Sequence, residues 1–315
     1  MKIVVAGGAG FIGSHLCERL LKMRHDVICV DNLKTGRLEN IREARQSPRF
    51  RLIKQDVRKP LKLQGIGYIF NLASYASPPY YQTWSIETLM TNALGSQQLL
   101  ELAVREKAKY LLASTSEVYG DPLTHPQKET DWGNVNPVGI RACYDEAKRF
   151  AEAITFEYLR KHNLNARVIR IFNTYGPRLQ KDDGRVVSNF INQALEGKPL
   201  TVYGTGRQTR SFCYVDDLVE GIVRAAFRPK TRGEIFNLGN PNEFTMLEAA
   251  DLVEELLGVG LPRVYKPLPA DDPRRRRPDI SKARAVLGWS PRIPLREGLN
   301  RTIAWYQQQR PVRRR

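Results

Sequence analysis

Long apolar runs are missing from this chain: none approaches the length of a bilayer span. Cysteine is sparse, with Cys17, Cys29, Cys143 and Cys213 scattered and no C-x-x-C pair, so reduced thiols rather than a disulfide framework are expected. The first apolar strand begins at the first residues with no secretory leader before it, and a cytoplasmic protein is expected. The four histidines form no ligand-spaced cluster, so a metal held by the protein is not expected. No internal repeat and no long linker divides the chain. Acidic residues are the scarcer charge, 33 against 50 lysines and arginines, for a net +17. Nucleic-acid binding is the sharp reading of that excess and an anionic small substrate the milder one. Much of it sits in Arg274–Arg277 and Arg313–Arg315 without a nucleic-acid motif, which suits a solvated basic tail, so nucleic acid is not an expected partner.

What is present is concentrated at the start. Ile3, Val4, Val5 and Ala6 read as a buried parallel strand, and Gly7, Gly8, Gly10 and Gly13 follow as a tight turn. Ile12, Leu16 and Leu20 then mark the buried face of a helix. A strand, a glycine turn and a helix N-terminus make an anion site, because free N–H groups and the helix dipole converge there. The spacing satisfies both G-x-G-x-x-G and G-x-x-G-x-x-G. The next apolar run ends in Asp31, placed to accept hydrogen bonds from an adenosine ribose and to repel the extra phosphate of NADP. Lys34 and Arg37 nearby leave NADP open, but NAD is the expected cofactor.

Strands and helices alternate through the first half, which predicts an α/β fold of the Rossmann type, a doubly wound parallel sheet. Further strands are expected at Phe50–Asp56, Tyr68–Ala73, Tyr110–Ala113 and Ala166–Ile171. Ser77-Pro-Pro-Tyr-Tyr81 reads as a non-helical loop over the cleft, and Ser85–Glu106 as a long helix. The pattern loosens after Asn173. A helix is expected over Arg185–Leu195, short strands at Leu200–Tyr203 and Ser211–Val215, a returning strand at Glu234–Leu238, and helices near Met246–Leu257 and Ile280–Leu287. This predicts an NAD-binding domain over residues 1–173 and a smaller, mainly substrate-binding lobe over 174–315, with about 212–240 returning to the first domain.

Tyr144 and Lys148 stand four apart on one helix face. A phenol titrates near pH 10, so a base working at neutral pH needs its anion stabilised by roughly 4 kcal/mol. The Lys148 ammonium and a cationic nicotinamide could supply that in a dry cleft. Ser114, Thr115 and Ser116 end the preceding strand, where a hydroxyl can share the hydrogen bond to a sugar alcohol.

These features resemble the extended short-chain dehydrogenase/reductases and, within them, the UDP-glucuronate decarboxylase (UDP-xylose synthase) family. The resemblance rests on Ser114–Asp121, His125-Pro-Gln127, Trp132–Pro137, Cys143–Glu146, Arg170–Arg178, Asp182–Phe190, Thr209–Phe212 and Phe236–Pro241, and it covers nearly the whole chain. It implies NAD contacts at Gly7, Gly10, Phe11, Ile12, Gly13, Asp31, Asn32, Asp56, Val57, Leu72 and Ala73, together with Tyr144 and Lys148. It implies catalysis by Thr115, Glu117, Tyr144 and Lys148, and UDP-sugar contacts at Ser77, Asn173, Arg185, Tyr203, Arg210 and Arg276. Tyr203 could instead simply pack, and Arg276 could be one solvated arginine of four. Two positions depart from the pattern: Met90 stands where the family has lysine, and Asn71 where it commonly has histidine.

The reaction implied is loss of carbon dioxide from UDP-glucuronate to give UDP-xylose, through a 4-keto sugar whose carboxylate is β to the ketone, with the cofactor recycled in the site. A C4-epimerase or 4,6-dehydratase acting on another nucleotide sugar is the nearest alternative. A non-catalytic NAD-sensing protein that binds nucleic acid is the alternative of another class. A homodimer paired through Ser85–Glu106 and the Tyr144 helix is implied. Glu117 is expected to face the substrate carboxylate with a raised pKa and to deliver a proton; the alternative is that it caps the following turn.

Overall fold

The computed structural model describes residues 1–269, 271, 273 and 275–310. Arg274 and the tail Arg313–Arg315, singled out above for their charge, lie outside the described residues. Strand β1 (Lys2–Ala6) runs through the glycine turn into α1 (Phe11–Lys22), and β2 (Asp26–Asp31) pairs parallel beside β1. The chain then adds β3 (Phe50–Lys54), β4 (Ile66–Asn71), α2 (Pro78–Thr83), α3 (Ser85–Glu106), β5 (Lys109–Thr115), α4 (Ala142–His162) and β6 (Ala166–Ile171).

The α2 helix corrects the loop expected at Ser77–Tyr81. Its two prolines occupy the first helical positions, where the missing N–H is an orphan anyway and φ near −65° is already helical. A proline excludes a helix interior, not a helix start.

The second half contributes β7 (Thr174–Tyr175), α5 (Val186–Leu195), β8 (Leu200–Tyr203), β9 (Thr209–Ser211), β10 (Cys213–Tyr214) and α6 (Val215–Phe227). The single strand expected at Ser211–Val215 is thus two, and Val215 already opens a helix. Then come β11 (Ile235–Leu238), β12 (Glu243–Thr245), α7 (Met246–Leu257), β13 (Arg263–Lys266), β14 (Arg275–Arg276), α8 (Ser281–Leu287) and α9 (Leu295–Gln308).

Seven strands form one parallel sheet in the order β11-β6-β5-β4-β1-β2-β3. Side chains alternate across it, as the period of two demands. Ile3 and Val5 join Leu16, Leu20, Leu218 and Ile222 on one face, while Val4 and Ala6 join Leu99, Leu100 and Ala151 on the other. Both faces are covered, which is why β1 is apolar at every position after Lys2. Asp31, Asn71, Thr115 and Ile171 close their strands at the same carboxyl edge, the edge where ligands collect in such sheets.

Away from this sheet, β12, β9 and β14 make a three-stranded sheet, and β13 pairs with β8. In the β14–β9 register Arg276 lies opposite Arg210. No helix among the described residues is long and apolar enough to cross a membrane.

Candidate active site

A single cleft of about 720 Å³ runs along the carboxyl edge of the sheet. Every residue assigned above to cofactor, catalysis or substrate lines it.

At one end the glycines set the geometry. Gly7 has φ +77°, and a Cβ there would stand 2.8 Å from the Leu72 backbone. A Cβ on Gly13 would stand 2.1 Å from the Gly7 carbonyl oxygen. Only a chain without side chains at these points lets α1 start against β1 and β4. No side chain caps α1, and its first turn carries no acidic residue, so its free amides meet no competing anion. Asp31 is 8% exposed; its carboxylate accepts hydrogen bonds from the amides of Ala9 (3.0 Å) and Leu33 (2.8 Å). Those two bonds leave lone pairs for a ribose. The uncapped helix start and this buried acceptor fit the diphosphate and ribose of a dinucleotide. Asp56, gripped by Arg58 at 2.8 and 3.0 Å, is held below the usual carboxylate range. Asn71 ties down the end of β4: its amide donates to Ser96 Oγ (3.1 Å) and the Tyr110 hydroxyl (2.9 Å), and its carbonyl accepts from the Ala73 amide. The departure from histidine there is absorbed by a buried, satisfied amide.

In the middle of the cleft, burial pushes the Tyr144 phenol up to about 12, although the Thr115 hydroxyl and the Arg185 charge act the other way. Lys148 is anchored by donating to the Ala113 carbonyl at 2.9 Å, and lies 6.0 Å from the Tyr144 ring centre. Burial lowers the Lys148 ammonium to about 8, with Glu152 opposing. Tyr81, at 1% exposure, stacks on Tyr144 with centroids 5.1 Å apart and planes 7° from parallel. The hydroxyls of Tyr81 and Ser77 are buried, line the cleft and have no hydrogen-bond partner in the protein, as groups awaiting a ligand do.

At the far end the charges gather. Arg276 is 2% exposed, not one solvated arginine of four. Its guanidinium donates to the carbonyls of Ser116 and Gly120 (3.0 Å) and lies 3.5 Å from Glu117. Arg141, three residues before Tyr144, bonds the same Glu117 oxygen and approaches Asp145 at 3.8 Å. Burial alone would raise Glu117, but the Arg276 and Arg141 cations outweigh it and hold this carboxyl well below the usual range. The expected raised pKa is therefore corrected for the protein without substrate. The capping alternative fails too: Thr115 Oγ1 is the cap, accepting from the Glu117 amide at 3.2 Å. Asp145, by contrast, is raised to about 7 by burial and by the charge of Glu117. Arg210 donates to the carbonyls of Thr209 and Pro273. Arg185 donates to the Ala76 carbonyl (3.2 Å) and pairs with Asp183. Asn173 and the half-exposed Tyr203 stand on the wall. Met90 is not on the cleft; it is exposed on α3.

Arg141 and Tyr81 escaped the sequence reading. Arg141 carried a signal, since it lies one helical turn before Tyr144. Tyr81 carried none.

Residues 3–239 match the model of the NAD dependent epimerase/dehydratase family. UDP-glucuronic acid decarboxylase 1 of Arabidopsis thaliana is 53% identical over 304 residues, covering 96% of this chain and 69% of that one. The UDP-glucose 4-epimerase of Thermotoga maritima, solved with UDP-glucose, superposes with a TM-score of 0.90 at 31% identity, over 98% of this chain and 99% of that one. The UDP-glucuronic acid 4-epimerase of Bacillus cereus, solved with UDP-glucuronic acid and NAD, gives 0.88 at 31% identity, over the same shares. With its glycine turn, its Tyr-Lys helix and these relatives, the chain belongs to the NAD dependent epimerase/dehydratase family.

Proposed function

We propose that this protein is an NAD-dependent UDP-glucuronate decarboxylase that forms UDP-xylose and carbon dioxide. The observation that carries the reading is the buried Glu117–Arg141–Arg276 cluster one strand-end away from Tyr144 and Lys148. Epimerases need the Tyr-Lys pair, but a carboxylate substrate also needs cations, and two guanidiniums here stand ready to grip one. The curated relatives at 50–53% identity, all decarboxylases by name, support the same substrate.

Gly7, Gly10 to Gly13, Asp31, Asn32, Asp56, Val57, Leu72 and Ala73 would hold the NAD. When bound, it supplies reversible oxidation of the sugar at C4, which sets the carboxylate β to a carbonyl. The chain's own part is proton and charge management. Tyr144 takes the C4 hydroxyl proton, and Lys148 beneath it favours the phenolate. Thr115 donates to the sugar oxygen and fixes its direction. Arg141 and Arg276 orient the carboxylate, and Glu117, as their counter-ion, keeps them from holding it too tightly. The charge that develops as the carbon–carbon bond breaks is delocalised onto the C4 oxygen, where Tyr144 and Thr115 donate. Ser77, Asn173, Arg185, Tyr203 and Arg210 are assigned to the UDP-sugar. Residues 1–173 with the return at about 212–240 are assigned to the cofactor and the remainder mainly to substrate.

A homodimer belongs to the same reading. Ile86, Leu89, Met90 and Leu94 on α3 and Phe150 on α4 are 38–71% exposed, an apolar stripe that a second copy would cover. The four unpaired thiols suit a reducing, cytoplasmic compartment. Incubation with UDP-glucuronate and NAD, with carbon dioxide and nucleotide sugars followed by mass spectrometry, tests the activity. UDP-xylose formed in step with carbon dioxide is the expected result; UDP-galacturonate without carbon dioxide would make the protein an epimerase.

A further inference from the structure

Behind the cleft lies a buried ion pair that the reaction as described does not use. Glu152 sits one turn after Lys148 on α4 and is 8% exposed. Arg170 on β6 grips it with two parallel bonds, Nε to Oε1 at 3.0 Å and Nη2 to Oε2 at 2.8 Å. The Ser114 hydroxyl donates to Oε1 at 2.5 Å. Arg170 is itself pinned by the Tyr119 hydroxyl (2.9 Å) and the Glu129 carbonyl (3.1 Å), and Tyr119 by Asn237 (2.7 Å). The carboxylate therefore has one place to be.

That place is defined by three consecutive residues of β5. Ala113 anchors Lys148 and Ser114 anchors Glu152, and Thr115 follows them at the strand end on the cleft that Tyr144 lines. The buried face of α3, packed along α4, brings Thr88, Asn92 and Ser96. The β5 strand brings carbonyls and hydroxyls, β6 brings Arg170 behind Glu152, and α4 brings Tyr144 and Glu152. Among the described residues Glu152 is the one charged group that acts on Lys148. Burying an ion pair rarely gains stability over a well-packed apolar pair, so its presence calls for another explanation.

We propose that Glu152 is a positioning residue for the reaction: locked by Arg170 and Ser114 one helical turn after Lys148, it holds a fixed negative charge beside the lysine under Tyr144. This rests on the reading of Tyr144 and Lys148 as the catalytic pair. Burial pulls the lysine towards neutrality, and a fixed anion one turn away opposes that pull. The alkaline limb of the kcat–pH profile should then mark loss of the Lys148 proton.

The test is that limb. In Glu152→Gln it should move down by about one pH unit, the scale of removing one nearby charge from a buried site. Glu152→Asp, which keeps the charge, should return it to within about 0.3 of wild type. Should Glu152→Gln fail to fold around an unpaired Arg170, the neutral pair Glu152→Gln/Arg170→Met carries the test and should move the limb in the same downward direction. An unmoved limb in the folded neutral variant, or an aspartate that rescues nothing, overturns the proposal. Lys148→Met separates the two readings: if it turns over like wild type, both fall, whereas an inactive Lys148→Met beside an unmoved limb in Glu152→Gln sinks this inference alone.

Discussion

The two ends of the cleft are built in opposite ways. The centre of the cofactor end, Gly7 to Gly13 and Asp31, comes from one short stretch, the first two strands with the turn and helix between them, and Asp56, Val57, Leu72 and Ala73 join it from beyond the ends of β3 and β4. The substrate end is assembled across the whole chain: Glu117 follows β5, Arg141 precedes Tyr144, and Arg276 reaches Ser116 from 160 residues away. The first end is backbone geometry and needs glycine and one acid. The second is charge balance, Arg141 and Arg276 against Glu117 and Asp145, whose states depend on one another. Substitutions should therefore act locally at the first end and collectively at the second.

The largest expected effect lies between the two. Tyr144→Phe should lower kcat by at least about 100-fold, within the range for a lost acid–base group, while NAD affinity by calorimetry stays within about twofold. A variant that kept a tenth of the wild-type rate would show that another group takes the proton. Glu117→Gln comes next and probes the collective end. Without its counter-charge, Arg141 and Arg276 should grip the substrate carboxylate harder. The expected signature is a lower KM for UDP-glucuronate with carbon dioxide release slower by about 100-fold. An unchanged rate and KM would show that the counter-charge of Glu117 does not govern how the arginines hold the substrate.

Asp31→Ala probes the local end. It should weaken NAD by about tenfold and narrow the preference over NADP, as expected for a lost charged acceptor, without changing KM for the sugar. A change in both would mean the ends are coupled. The smallest effect expected is in stability. Asp145 is raised in the folded protein, to about 7, by burial and the charge of Glu117, above its ordinary 3.8. The folded state therefore binds more protons than the unfolded one between about pH 4 and 7, and Asp145's contribution to stability falls as pH rises through that window. The melting temperature of Asp145→Asn relative to wild type should accordingly rise by a few degrees from pH 5 to pH 8. A constant difference would mean that Asp145 does not titrate there.

This contrast also explains what could be read beforehand. The parallel sheet, the glycine turn and the Tyr144–Lys148 pair are local patterns, and α3 and α7 lie within the expected bounds for the same reason. Arg276 could not be told from Arg275 or Arg277 by composition. Its burial comes from the β14–β9 register, a pairing between residues more than sixty positions apart. The helix at Val215–Phe227 was hidden because it starts without a side-chain cap directly from a strand. The sign of the Glu117 shift is not legible in the sequence, because Arg141 and Arg276, its two counter-charges, converge on it only in the fold.

The bonds from Arg276 to the Ser116 and Gly120 carbonyls have a consequence in time as well as in space. A ribosome releases this chain from its N-terminus, and early parts fold as they emerge. Once residue 238 is out, all seven strands of the main sheet exist and a dinucleotide can be held. Arg276 joins Glu117 only when β14 docks, after those seven strands have been made. Cofactor loading can thus precede completion of the Glu117–Arg141–Arg276 cluster.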